Sequence, residues 1–187
     1  MERQEYRPEE HFHTTGQFGR LDRVYRRNCG PTAITNLLLT LLARRGETRG
    51  EAPAELYRRV AALGRKRAFY FNIDLFHRWG GTSDLLSGTY LRAALRQSGV
   101  RGARVRRRVR LTQRNLDEAL ARGSILYVQL RHHPRYGDHH LLCYGAEANG
   151  EGETMLRLAD GWSAQPVLLP LKGLRRAHII EIEPEKG

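Results

Sequence analysis

The sequence predicts an α+β domain, helical in its first half and antiparallel β in its second. Three observations carry this. From Asn28 onward, Ile34, Leu37, Leu38, Leu41 and Leu42 fall at i, i+3, i+4, i+7 and i+8, the spacing of a helix buried on one broad face. From Ser124 onward, SILYVQL, HLLCYGAE, TMLRLAD, PVLLPL and AHIIEIE are short apolar segments divided by Gly, Asn, Pro and Asp, as strands are. Helices and strands are segregated along the chain, which disfavours an alternating parallel sheet.

Taken in order, residues 1–28 form an irregular leader segment without periodicity. Asn28 is placed to cap the first helix, Pro31 is tolerated in its first turn, and Arg44–Arg45 before Gly46 mark its end. A second helix is expected over Ala54–Leu63, and shorter ones over Thr89–Gln97 and Gln113–Ala121. The stretch AFYFNIDLFHRWGGT fits neither period cleanly, and its Gly80–Gly81 pair reads as a turn. The antiparallel sheet should be built mainly from Ser124–Ile182. No internal repeat is visible.

A length of 187 residues suits one domain, 1–187, with a real core. No window approaches the ~20 apolar residues of a membrane span, and the N-terminus has no apolar h-region, which points to the cytoplasm. Cys29 and Cys143 are too few for a disulfide framework. The net charge of +12 raises the question of nucleic acid. Only Lys66, Lys172 and Lys186 are lysines, and the remaining cations are arginine. In the densest run, RGARVRRRVRL, strand alternation puts Arg104, Arg106, Arg108 and Arg110 on one face, opposite Val105, Val109 and Leu111. That is the pattern of a solvated strand face, and no zinc-finger or helix-turn-helix pattern lies beside it, so a nucleic-acid partner is not expected.

The chemistry centres on Cys29. A cysteine in the first turn of a buried helix meets unpaired main-chain N–H groups and the positive end of the helix dipole, both of which favour a thiolate. Gly30 would leave room beside the sulfur for a substrate backbone. A cysteine nucleophile needs an imidazole to carry the proton and a polar group to hold that imidazole. GDHHLLCYGAE places histidines at the start of a strand, and LRLADGWS places Asp160 at the end of the next, with Trp162 two residues on. Adjacent antiparallel strands could bring imidazole and carboxylate together, with the indole excluding water.

NCGPTAITNLL resembles the nucleophile segment of papain-like cysteine peptidases, particularly the bacterial branch similar to bacteriocin-processing peptidases. The order Cys, His, Asp is also that family's. So is the glycine six residues after the histidine, met by His139 and Gly145, and so is the Trp two residues after the orienting group. The similarity spans about Asn28–Trp162. It implies a papain-like fold, peptide substrates, and a triad of Cys29 as nucleophile, His139 as base and Asp160 as the residue that orients the base. His140, next to His139, would face the opposite side of its strand, and alternation alone does not choose between them. The family's usual Gln six residues before the Cys is Arg23 here, so the side-chain donor to the oxyanion is left open among Arg23, Asn28 and Gln17.

His11 and His13, then His132, His133, His139 and His140, form two histidine groups, with Cys143 near the second. None has the spacing of a metal site, and no Gly-rich phosphate loop follows a strand, so no metal or cofactor is expected. The reaction expected is hydrolysis of a peptide amide. The alternative is a papain-like binding module with weak catalysis, whose basic surface holds an acidic protein or nucleic acid.

Overall fold

A computed structural model of the chain describes residues 8–18, 27–47, 52–75, 79–108, 111–174 and 177–184. The periodic run forms α1, Cys29–Arg44, and ends as its sequence requires, with Arg45 as C-cap and Gly46 at φ +65°. Its start differs from expectation. Asn28 precedes α1 but makes no side-chain cap, and its amide donates to the Tyr57 hydroxyl at 2.7 Å. Asn28 thereby ties α1 to α2, Pro53–Lys66. Helix α3 spans Ser87–Gln97, and α4 spans Gln113–Ala121 behind a Thr112–Asn115 capping box.

The ambiguous stretch is an antiparallel hairpin of β1, Tyr70–Leu75, and β2, Trp79–Thr82. Gly80 and Gly81 lie inside β2, not in a turn, with φ of +127° and +83°. A Cβ at Gly80 would overlap the main-chain oxygen of Ile73, so the glycine serves close approach of the two strands.

Six further strands follow: β3 Arg104–Arg108, β4 Ile125–His133, β5 Gly137–Ala148, β6 Thr154–Ala159, β7 Val167–Pro170 and β8 His178–Glu183. They form one antiparallel sheet in the order β3-β8-β4-β5-β6-β7. Strand alternation splits the core across this sheet. Tyr127, Leu142, Ile180 and Ile182 pack with Ile34, Leu37 and Leu38 of α1. Leu126, Val128, Leu141, Cys143 and Ile179 pack on the other face with Leu116 and Ala119 of α4. Among the described residues no helix is long and apolar enough to cross a membrane.

The arginine run is the edge strand β3. Arg104 and Arg106 lie opposite Glu183 and Glu181 of β8, and Arg106 pairs with Glu183 at 3.4 Å. This face is therefore partly neutralised and not merely solvated. The side chain of Arg108 and all of Val109 and Arg110 lie outside the described residues.

Candidate functional site

Strand β6 ends at Ala159, paired with Leu142, so β5 runs on toward Gly137 with no β6 partner beside it. Two other segments close on α1 there. Gly161, at φ +74°, sits against the first turn of α1, where a Cβ would come 2.9 Å from Thr32 Cγ2. Gly30 packs on β2, where a Cβ would overlap Thr82 Oγ1 and lie 2.6 Å from Thr82 Cβ. The room beside Gly30 that its sequence offered to a substrate is occupied by Thr82.

Cys29 keeps partial exposure as a residue, but its thiol is desolvated. The main-chain N–H groups of His140, Gly30 and Cys29 itself lie near enough to the sulfur to pull its pKa down. These helix-start donors do favour the thiolate, as expected. Burial outweighs them, the Asp84 charge adds to it, and the thiol is pushed up to about 11. Cys143 lies in the α4-side core, where burial pushes it up to about 12.

His139 is 2% exposed, and its Nε2 lies 2.7 Å from the main-chain oxygen of Asp160. A carbonyl only accepts, so Nε2 carries the proton and Nδ1 carries the lone pair. Nδ1 has no partner among the described residues. The Trp162 indole covers the ring at 4.2 Å, and Tyr136 stacks on it at 5.4 Å and 9°. Burial lowers the His139 pKa, against the hydrogen bond and charge of Asp160, which raise it.

The Asp160 carboxylate does not reach the imidazole. Oδ1 accepts from the N–H groups of Trp162 and Ser163 at 2.9 and 2.7 Å, and Oδ2 from the Tyr136 and Ser163 hydroxyls at 3.2 and 3.1 Å. Asp160 thus orients His139 through its main chain, while its side chain fixes the turn that presents both that carbonyl and the indole.

His140 shares the sheet face of Leu142 and α1. Its Nδ1 is 3.0 Å from the Tyr127 hydroxyl, and Nε2 lies 3.6 Å from Asp84 Oδ1. Asp84 is held in turn by Arg131, and Gln129 beside it donates to Ser87 Oγ at 2.6 Å. Burial pushes His140 down to about 4, so the ring is neutral at neutral pH and committed to this network. Asp84 and Tyr127 were not legible as site residues: one sits in a GTSD turn, the other in an alternating apolar strand.

Leu141 and Cys143, which share the His139 face, lie against α4 and not against α1. Strand alternation puts His139 on that same face, but it lies at the open end of β5, bonded to the Asp160–Gly161 turn that packs against the first turn of α1. The spacing to Gly145 includes a register irregularity between Cys143 and Gly145. Of the oxyanion candidates, Asn28 donates to Tyr57, Gln17 is exposed and its Oε1 accepts from Thr14 N at 2.6 Å, and Arg23 lies outside the described residues. Among the described residues, no group of three His, Cys, Asp or Glu is placed to hold a metal ion.

No family model, no curated protein and no solved structure matches the chain.

Proposed function

We propose that the chain is a papain-like cysteine hydrolase of peptide amides, with Cys29 as nucleophile and His139 as base. One observation carries this reading. His139 has its Nε2 held by the Asp160 carbonyl under the Trp162 indole, and its Nδ1 is left as an unoccupied lone pair. The next main-chain N–H in the strand, that of His140, is near enough to the Cys29 sulfur to favour its thiolate. His140 itself is a poorer base, since its ring is engaged by Tyr127 and lies beside Asp84.

The resting pair is a neutral thiol and a neutral imidazole, so the proton moves as the bond forms. The sulfur attacks the amide carbonyl while Nδ1 takes the thiol proton. The oxyanion then faces the N–H groups at the start of α1. The imidazolium, stabilised by the nearby Asp160 charge, returns the proton to the departing amine. Water attacks the thioester with Nδ1 as base, releasing the acid and restoring the thiol.

The test is digestion of a mixed peptide library, read by mass spectrometry, with the wild-type chain and Cys29→Ala. New termini should form with wild type and fall by about 10³-fold or more in the variant. Cleavage that survives Cys29→Ala overturns the reading.

A further inference from the structure

Two hollows lie side by side on the α3 flank of the sheet. One, of about 190 Å³, is lined by Asp84, Gln129, Arg92 and Arg107. It opens from the network around His140, because Asp84 and Gln129 belong to both. The second, of about 480 Å³, shares Arg92 and Val105 with the first and extends to Arg96 and Arg101. Four arginines therefore line one groove made by the two adjoining hollows.

Among the described residues their charge is not answered by a carboxylate. Arg96, Arg101 and Arg107 have no side-chain ion pair or hydrogen bond among the described residues. Arg92 makes one hydrogen bond, to the main-chain oxygen of Val105 at 3.0 Å. The single carboxylate along the groove, Asp84, is already bonded to Arg131. On the opposite face of β3 the arrangement is reversed: Arg106 and Arg122 reach Glu183 and Glu181 at 3.4 and 2.8 Å. Arg107 also breaks the alternation of its strand. It stands on the side of Val105, where an edge strand packed on a helix would carry an apolar residue. Arg92 and Arg96 are four apart on α3, a like-charge spacing that weakens a helix unless something neutralises it.

We propose that this groove binds an acidic stretch of the peptide substrate, with carboxylates on Arg92, Arg96, Arg101 and Arg107 and aliphatic side chains against Leu95 and Val105. Planar guanidinium groups suit carboxylates through paired N–H donors. The lining is aliphatic and offers no aromatic ring on which a base could stack, which favours a peptide over a single-stranded nucleic acid. The inference rests on the hydrolase reading for the place of the cut, but not for binding.

The experiment uses the full chain carrying Cys29→Ala, so that bound peptide is not cleaved. A fluorescent ten-residue peptide alternating Glu and Leu, and its Gln counterpart, are titrated by anisotropy at physiological salt. The Glu peptide should bind about tenfold tighter or more, and the advantage should vanish in Arg96→Gln/Arg101→Gln/Arg107→Gln. Single Arg107→Gln and Arg96→Gln variants, each checked by circular dichroism, should reduce it in part. Arg114→Gln, on α4, should leave it unchanged. Equal binding of the two peptides, or an advantage that survives all three substitutions, overturns the proposal. So does a single-stranded oligonucleotide that binds the same arginines more tightly than the Glu peptide. If acidic binding holds and the wild-type chain cleaves no peptide, the groove stands and the hydrolase reading fails.

Discussion

His139 gives its Nε2 proton to the main-chain oxygen of Asp160 at 2.7 Å, while the carboxylate of the same residue points into the following turn. The residue type and the contact are thus only indirectly linked. Any side chain leaves the carbonyl in place, but only one that accepts the Trp162 and Ser163 N–H groups holds that carbonyl where the imidazole needs it.

Asp160→Asn should therefore be mild and Asp160→Ala severe. Asn keeps a carbonyl oxygen for the two N–H groups, and should cost under about 1 kcal/mol in folding free energy. Ala leaves those donors and the Tyr136 hydroxyl without partners in a buried site, at a cost of roughly 2–4 kcal/mol. Turnover should fall about tenfold in Asp160→Asn, which loses the charge favouring the imidazolium, and much further in Asp160→Ala. Urea midpoints and peptide turnover check both. Equal inactivity of the two variants at unchanged stability would instead give the carboxylate the direct orienting role.

The adjacent histidines are separated by their opposite faces and their different partners. His139→Ala should abolish turnover, by about 10³-fold or more, with a modest loss of stability. His140→Ala should keep measurable turnover while lowering the melting temperature, because it strands Tyr127 in a wholly buried position. The reverse pattern would move the base to His140 and leave Cys29 as nucleophile.

Much of the architecture was legible because it rests on local rules. The α1 apolar period, its Arg–Arg–Gly stop and the five strand segments after Ser124 each declare themselves within one element. The surroundings of His139 were legible only where they follow chain order. His139 and the Asp160–Trp162 pair are brought together by strand adjacency, which spacing can anticipate. That Asp160 acts through its carbonyl depends on a turn whose hydrogen bonds leave no mark in residue type. The network of His140, Tyr127 and Asp84 joins three distant segments, and each residue alone reads as core or turn. The pKa of Cys29 depends on burial against helix-start donors, two effects of opposite sign that no sequence pattern can weigh.

Iodoacetamide kinetics test that balance. With the thiol pushed up to about 11, Cys29 should alkylate at pH 7 at under about a tenth of the rate of an unstructured cysteine peptide. The rate should rise steadily toward pH 10 and beyond. Cys143, buried in the core, should stay unlabelled until the protein is unfolded. A rate already level by pH 7, mapped to Cys29 by mass spectrometry, would mean that the helix-start donors win over burial.

Acid should weaken the fold through its buried histidines. His140 is held down to about 4 in the folded protein against an ordinary 6.5, and His139 and His13 are lowered too, all chiefly by burial. As pH falls below 6.5 the unfolded chain takes up protons that the folded one refuses, so unfolding becomes easier. The His140 share is fully present above 6.5 and lost by about pH 4, and amounts to at most ~3 kcal/mol. Denaturant midpoints measured from pH 7.5 to 4.5 should fall, and His140→Gln should flatten the slope. An unchanged slope in that variant would show that His140 does not carry the effect.

The contact of Gly30 with Thr82 offers a test that does not depend on catalysis. A Cβ at Gly30 overlaps Thr82 Oγ1 and lies 2.6 Å from Thr82 Cβ, a clash with the root of a strand residue that no rotation relieves. Gly30→Ala should therefore push the first turn of α1 away from β2, costing roughly 2–3 kcal/mol. Helix propensity alone predicts the opposite, since Ala is the better helix former by about 1 kcal/mol. Thr82→Gly removes the obstructing atoms and should cost about 1 kcal/mol by itself. Combined, the two should be less harmful than their sum by at least ~1 kcal/mol, the signature of residues in contact. Opening the same seam should also expose the thiol, so Gly30→Ala should alkylate faster than wild type at pH 8 and return toward the wild-type rate in the double variant. Strict additivity in denaturant unfolding, with no change in thiol reactivity, would show that β2 does not close against Cys29 as the structure has it.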